Sequence, residues 1–291
     1  MTHRIAVLAP AKINLALHVT GRRADGYHLL ESVVVFAQYG DTLTVEAAEA
    51  DAFSISGPHG AGLPADGSNL VVAARDRLRA ANPAETEAPV AIHLDKRLPV
   101  AAGVGGGSSD AAAALRGLAK VWDIDTASPE IAGIAAGLGA DVPMCLDGRA
   151  LVARGIGHDL QPLRAWPAFD VVLVNPGVAV PTPAVFGRLD RRDNPPLPPL
   201  PDRPDHAAAL AFLAAARNDL EAPALALARE IGDALDALRS TGAGLARMSG
   251  SGATCFGIFD DADAAQAAAA RIRSDRPGWF VEATRTNGVG A

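Results

Sequence analysis

Residues 98–115, Leu-Pro-Val-Ala-Ala-Gly-Val-Gly-Gly-Gly-Ser-Ser-Asp-Ala-Ala-Ala-Ala-Leu, carry the strongest chemical signal in the chain. Gly103, Gly105, Gly106 and Gly107 lack the Cβ atoms that would keep a backbone from turning sharply or lying against a ligand. Ser108, Ser109 and Asp110 follow as helix-capping residue types, and residues 111–115 open an alanine-rich run of high helix propensity. A glycine loop feeding a helix N-terminus presents N–H groups without internal partners at the positive end of the helix dipole, which suits a phosphate. A plain strand-to-helix connection needs one or two glycines and a cap, so three consecutive glycines with two hydroxyls point to anion binding. The common phosphate loops do not fit. No lysine lies between Lys96 and Lys120, which excludes a Gly-Lys-Ser/Thr ending, and Ser108 stands where a dinucleotide fingerprint needs its third glycine. Asp123 and Asp125 precede a helix start at Ser128-Pro129-Glu130 instead of closing a strand.

Three other places hold residues able to do chemistry. Of 26 basic residues only Lys12, Lys96 and Lys120 are lysines, so each invites a reason. Lys120 at the end of an amphipathic helix and Lys96 beside Arg97 read as solvated surface. Lys12 stands in Pro10-Ala11-Lys12-x-Asn14, where an ammonium and an amide after Ala-Pro-Ala are unlike routine solvent cover. Asp141, in Gly139-Ala140-Asp141-Val142-Pro143, reads either as a turn aspartate bonded to its own backbone or as a carboxylate set beside a reacting hydroxyl. Gly21-Arg22-Arg23-x-Asp25-Gly26-Tyr27-His28 is a polar turn, in which a lone Tyr27 or His28 would be an ordinary packed residue.

Pro99-x-x-x-Gly103-x-Gly105-Gly106-Gly107-Ser108-Ser109-Asp110-Ala111-Ala112 resembles the ATP-binding signature of the GHMP kinases, the family of galactokinase, homoserine kinase and mevalonate kinase. The Pro-Ala-Lys-x-Asn opening, the Gly-Ala-Asp-Val-Pro segment and Ser249-Gly250-Ser251-Gly252 match its other motifs in the expected order, and Asn218-Asp219-Leu220-Glu221 matches a further feature. The Gly-Tyr-His block and Pro181-Thr182-Pro183 with Phe186 resemble the branch of that family that acts on a cytidine diphosphate derivative. The likeness covers nearly the whole chain. Val104 replaces the more familiar leucine of the glycine loop, and the proline-rich stretch 194–204 has no counterpart in the pattern; a stiff surface loop is the plain reading of that stretch.

The resemblance implies an α+β, two-domain architecture with the active site in the inter-domain cleft, an ATP-binding domain over residues 1–160 and a substrate-binding domain over 161–291. It implies an ATP-dependent kinase for a small molecule, with Mg²⁺ bridging the phosphates. Pro99, Gly103, Gly105, Gly106, Gly107, Ser108 and Ser109 would hold the nucleotide, and Lys12 and Asp141 would be catalytic, the one as a point charge and the other toward the acceptor hydroxyl. Asn14, Tyr27, His28, Thr182 and Phe186 would bind the second substrate. Two rivals stay open: another GHMP kinase of homoserine or mevalonate type, and a catalytically idle nucleotide-binding regulator, which would be expected to lose Lys12 or Asp141.

The elements that position these residues are legible from pattern. Residues 4–11 form an apolar run, and 12–19 alternate, with Ile13, Leu15, Leu17 and Val19 opposite Lys12, Asn14, Ala16 and His18, as in a half-buried strand. Strands are expected at 29–37, 41–46, 53–56, 90–94, 151–154, 169–175, 254–259 and 279–284. Helices are expected at 69–81 with Ser68 as cap, from 111, at 129–138, 184–189, 206–216, 224–239 and 264–272. A net charge of −7 argues against a nucleic-acid or anionic-membrane surface. Cys145 and Cys255, far apart in apolar surroundings, read as buried reduced thiols, which fits the cytoplasm and no metal site. The run 5–11 is too short to span a membrane and is cut by Lys12, so no targeting segment is expected. Neither metal ligands nor an oligomeric state is marked.

Overall fold

The alternating stretch 12–19 lies within β1 (Ile5–Arg22) of the computed structural model, which describes residues 4–288. Every residue from 11 to 19 is buried, so the strand is covered on both faces and not on one. Its polar face is closed by partners: Asn14 Nδ2 donates to Ser32 Oγ (2.8 Å), and His18 bonds Pro195 O (3.1 Å) through Nδ1 and accepts the Arg217 N–H (3.1 Å) at Nε2. Alternation therefore reported two chemistries and not exposure.

Two compact units divide the chain. One takes the chain up to Ala11, Tyr39–Val100 and Gly105–Gly148; the other takes Lys12–Gln38, Ala101–Val104 and the chain from Arg149 on. The chain therefore passes between units more than once, where the sequence reading drew a single boundary near residue 160.

In the first unit, β2 (His28–Ala47) carries the edge-to-edge frame. It is one strand across the two stretches expected separately, and Gly40 lies where the gap was drawn. A Cβ on Gly40 would stand 2.1 Å from Ala9 O and 2.6 Å from Pro10 Cα, so the strand runs on because glycine leaves room for the β1 backbone. Residues 42–47 of β2 pair antiparallel with β4 (Val90–Asp95), which pairs parallel with β3 (Ala52–Ser56). Helix α1 (Leu70–Ala81) starts at an Asn69 cap whose side chain accepts the Val71 N–H, one residue later than the expected Ser68 cap. Helix α2 (Gly106–Val121) is buried nearly all round, with Ala111–Ala114 inaccessible, as a helix apolar on every side must be. Gly117 lets α2 approach the sheet, since a Cβ there would meet Val45 Cγ2 at 2.8 Å. Helices α3 (Pro129–Leu138), capped by Ser128 as expected, and α4 (Val142–Asp147) complete the unit.

Lys96 overturns its surface reading. It is 3% exposed, and its ammonium lies between Asp41 Oδ2 (2.5 Å) and Asp110 Oδ2 (2.6 Å). Those partners stand 55 and 14 residues away, and nothing next to Lys96 in the chain announces them.

In the second unit, residues 30–34 of β2 pair antiparallel with β5 (Leu151–Gly155), which pairs with β6 (Asp159–Pro162). The polar, mostly exposed β6 had no alternation to announce it. A separate antiparallel sheet has the order β10–β7–β9–β8, from β7 (Asp170–Asn175), β8 (Leu245–Met248), β9 (Cys255–Phe259) and β10 (Phe280–Arg285). Around it lie α5 (Thr182–Gly187), α6 (His206–Ala215), α7 (Glu221–Leu225), α8 (Glu230–Ser240) and α9 (Ala262–Asp275). The core joins Val172, Val174 and Phe259 of the sheet to Ile231, Leu235 and Ile272 of the helices. The single helix expected over 224–239 is broken between Leu225 and Glu230, although no glycine or proline lies between residues 224 and 231 to mark the interruption. Cys145 and Cys255 are buried and not joined in a disulfide.

Gly40→Ala tests the close approach in β2. The new methyl would press on backbone that side-chain rotation cannot relieve, so chemical denaturation should show a loss of at least roughly 1–3 kcal/mol. An unchanged midpoint would mean that the β1 backbone yields freely.

Candidate functional site

The residues that favour an anion begin with Gly105, which ends the loop in the left-handed conformation (φ 64°, ψ 24°) and is the N-cap of α2. Helix α2 starts at Gly106, five residues before the expected start at 111. Ser108, Ser109 and Asp110 therefore belong to the helix and do not cap it. Ser109 Oγ donates to Pro10 O (2.8 Å), Asp110 bonds Lys96, and no side chain caps the first turn. The leading N–H groups lie at the positive end of a sixteen-residue helix, a place that favours an anion. Gly107 is exposed, with Leu70 Cδ1 3.8 Å from where a Cβ would stand, Ser108 is half-buried, and Pro99, which leads into the loop, is buried.

Asp141 follows Gly139-Ala140 and occupies the N-cap position of α4, where its carbonyl accepts the Cys145 N–H (3.1 Å). Its carboxylate does not cap the helix, which leaves the negative side chain half-buried at the helix's positive end. These groups belong to the first unit.

The second unit holds the other part of the glycine loop and the remaining candidates. Lys12 is 6% exposed in β1, and its N–H donates to Val104 O (2.9 Å). Ala102 O accepts the Thr254 N–H (3.0 Å), and Gly103 O accepts Ser249 Oγ–H (3.0 Å). Gly103 (φ 76°) has no room for a side chain, since a Cβ would stand 2.4 Å from Ser249 O. Ser249 Oγ also accepts the Asn14 N–H (3.1 Å), so one hydroxyl joins β1, the glycine loop and the Ser-Gly-Ser-Gly turn. Asn218, a motif residue without an assigned role, braces that turn by donating through Nδ2 to Met248 O and Gly250 O, both at 2.8 Å. Asn14 is buried with its Oδ1 lacking a hydrogen bond among the described residues, an acceptor-side vacancy of the kind a ligand donor fills.

His28 and Phe186, 158 positions apart in the chain, stack with ring centroids 4.8 Å apart and planes 27° from parallel. His28 Nε2 is buried with no hydrogen-bond partner among the described residues. Burial holds the imidazole below its usual pKa, and the nearby Arg22 and Arg192 push the same way, so the ring is neutral at pH 7 and can present one donor and one acceptor. Thr182, at the start of α5, shares a hydrogen bond between its Oγ1 and Ser251 Oγ (2.8 Å). Tyr27 is not part of the stack: its side chain is 63% exposed in the turn, where its N–H donates to Asp25 Oδ1 (3.3 Å). Sequence reasoning missed Arg192, whose buried Nε also lacks a partner, because an Arg-Arg pair ahead of a proline-rich loop looks like any solvated surface.

Among the described residues no group of three or more His, Cys, Asp or Glu side chains could hold a metal ion. No helix among them is long and apolar enough to cross a membrane.

Known proteins resemble this chain along nearly its whole length. The model of the GHMP kinases N terminal domain matches residues 69–149 and that of the GHMP kinases C terminal domain residues 202–277. A protein of a Chelativorans species named 4-diphosphocytidyl-2-C-methyl-D-erythritol kinase is 54% identical over 283 residues, which cover 97% of this chain and 96% of its own. A Mesorhizobium japonicum protein of the same name is 54% identical over 278 residues, covering 96% of this chain and 94% of its own. The crystal structure of a 4-(cytidine 5'-diphospho)-2C-methyl-D-erythritol kinase superposes with a TM-score of 0.81 at 36% identity, covering 98% of this chain and 100% of that one. A homoserine kinase from Cytophaga hutchinsonii shares the fold, with a TM-score of 0.69 at 18% identity over 98% of this chain and 95% of its own.

An NMR titration of the imidazole signals should find His28 ionising below 6.5 and neutral at pH 7. A value at or above 6.5 would show that its ring is not desolvated beside two guanidinium groups.

Proposed function

The chain belongs to the GHMP kinases, and from that membership we infer that it transfers the γ-phosphoryl group of ATP to the 2-hydroxyl of 4-diphosphocytidyl-2-C-methyl-D-erythritol, in the non-mevalonate (methylerythritol phosphate) supply of isoprenoid precursors. The observation that carries this reading is 54% identity along 97% of the chain with a protein named for that activity. Homoserine and mevalonate kinases share its fold at 18% and 15% identity, which supports the architecture and not their substrates. A catalytically idle regulator is disfavoured by the presence of both Lys12 and Asp141.

Phosphoryl transfer passes through a loose transition state, so catalysis rests on positioning and on stabilising charge. The uncapped start of α2 would hold the triphosphate, which fits the absence of any side-chain cap there. Lys12 supplies a point charge to the transferring group. Asp141 orients the acceptor hydroxyl and takes its proton; ADP leaves with the electrons of the broken P–O bond. The acceptor is a tertiary alcohol, far less acidic than a carboxylic acid, so the proton moves late, as the new P–O bond forms. With no protein cage for a cation among the described residues, Mg²⁺ would ride on the phosphates with at most one or two carboxylates, its usual manner, and neutralise their charge. Cytosine recognition falls to His28, with Phe186 and Tyr27 available to its faces and Asn14 and Thr182 beside the Ser-Gly turn. A cytoplasmic location goes with this reading and with two buried cysteines outside any disulfide.

Asp141→Asn and Lys12→Met should each lower turnover by about a hundredfold or more, the scale of a lost proton acceptor or positioned charge, with much smaller changes in ligand affinity. Near wild-type turnover of Asp141→Asn at saturating substrates would remove it from the chemistry.

Uracil presents N3–H where cytosine presents an acceptor, and a carbonyl where cytosine presents an amine. Each mismatch leaves a buried polar group unpaired at roughly 1–3 kcal/mol. The uridine analogue of the substrate should therefore be used at least about tenfold less efficiently, and His28→Ala should narrow the gap. Equal kcat/KM for both analogues in the wild type would show that the base is not read and reopen the case for another GHMP kinase.

A further inference from the structure

The Lys96 cluster ties together three pieces of the first unit from which the phosphate-facing helix hangs. Asp41 comes from β2, Lys96 from the residue after β4, and Asp110 from the second turn of α2. Asp41 also accepts the N–H groups of Arg97 (2.5 Å) and Leu98 (2.7 Å) at Oδ1, so it holds the backbone that leads into the glycine loop. Lys96 is itself fixed at the main chain, its N–H donating to Ser56 O (2.8 Å) and its carbonyl accepting the His59 N–H (3.1 Å). Its ammonium lies against the first residue of α2: a Cβ on Gly106 would be 3.0 Å from Nζ and 3.8 Å from Asp41 Oδ2.

A need for stability does not explain such a cluster. Burying ions costs solvation that their attraction roughly repays, and apolar side chains of similar volume commonly do as well or better. Two carboxylates share one ammonium here, and Asp110 Oδ1 is buried with no hydrogen bond at all. What charged, directional bonds add is geometry: they fix the start of α2 relative to β2 and to residues 96–98 more narrowly than dispersion contacts would. The leading N–H groups of α2 need that precision, because a displacement of about 1 Å in a positioning group can cost on the order of a hundredfold.

We infer that Lys96, Asp41 and Asp110 are positioning residues for the nucleotide phosphates, acting through the first turn of α2 without touching the ligand. The inference rests on the nucleotide reading of that helix. Burial pushes the Asp110 carboxyl up to about 7 despite the ammonium beside it, with Asp41 adding to the rise; the isosteric amide in its place keeps the size of the side chain and leaves Lys96 paired with Asp41.

The test is ATP binding by calorimetry, with Mg²⁺ present, to the wild type, Asp110→Asn and Lys96→Gln, alongside their melting temperatures. The wild type should bind ATP, and Asp110→Asn should melt close to it while its Kd for ATP rises about tenfold or more. In turnover assays the same variant should raise the KM for ATP and leave the KM for the second substrate within about twofold. A folded Asp110→Asn and a folded Lys96→Gln that both bind ATP within about twofold of the wild type would overturn the inference alone. A wild type that binds no ATP would overturn the nucleotide reading and this inference with it. If neither variant folds, the cluster serves the fold and the positioning role is rejected.

Discussion

An α-helix can offer its first N–H groups to a phosphate only while its own side chains leave them alone, and the start of α2 is built around that restriction. Serine and aspartate beside a helix start ordinarily cap it. Here Ser109 instead bonds Pro10 O, and Asp110, in the second turn, bonds Lys96. Gly105, in a left-handed conformation that most residues avoid, turns the chain into the helix without supplying a cap of its own. The glycines thus do two jobs, allowing the turn and withholding side chains, and the polar residues behind them are committed to the interior.

The second unit shows the same economy of acceptors and donors. Ser249 Oγ serves Asn14 and Gly103 together, and Asn218 holds the same turn through two carbonyls. Against that saturated background the unsatisfied atoms stand out: Asn14 Oδ1 and His28 Nε2 are buried and unpartnered on side chains whose other contacts fix them in place. Groups held in this way need little reordering when a ligand arrives, which is how a binding site limits the entropy cost of recognition.

Much of this could be read before any coordinates. The Gly-rich run, Pro-Ala-Lys-x-Asn, Gly-Ala-Asp-Val-Pro and Ser-Gly-Ser-Gly marked the family, and the helix start at Ser128 was legible because a cap and the N–H it bonds lie within three residues of each other. The larger errors of local rules concerned distant partners. Ser109 and Asp110 look like caps until Pro10 and Lys96 are folded against them, and β1 looks half-solvated until Ser32, Pro195 and Arg217 cover its polar face.

By itself the sequence determined the residue types, the α+β succession of elements and the loop that must turn on glycine, since these follow from backbone preferences and from neighbours a few residues apart. Only the tertiary structure decided which polar groups are spent and which are spare. Lys96 is the clearest instance: beside Arg97 it has every mark of a surface cation, and it becomes a buried ion partner because the fold brings Asp41 and Asp110 to it from 55 and 14 residues away. Burial and pairing are properties of the whole packed chain, and a charge reads its environment through space and not along the sequence.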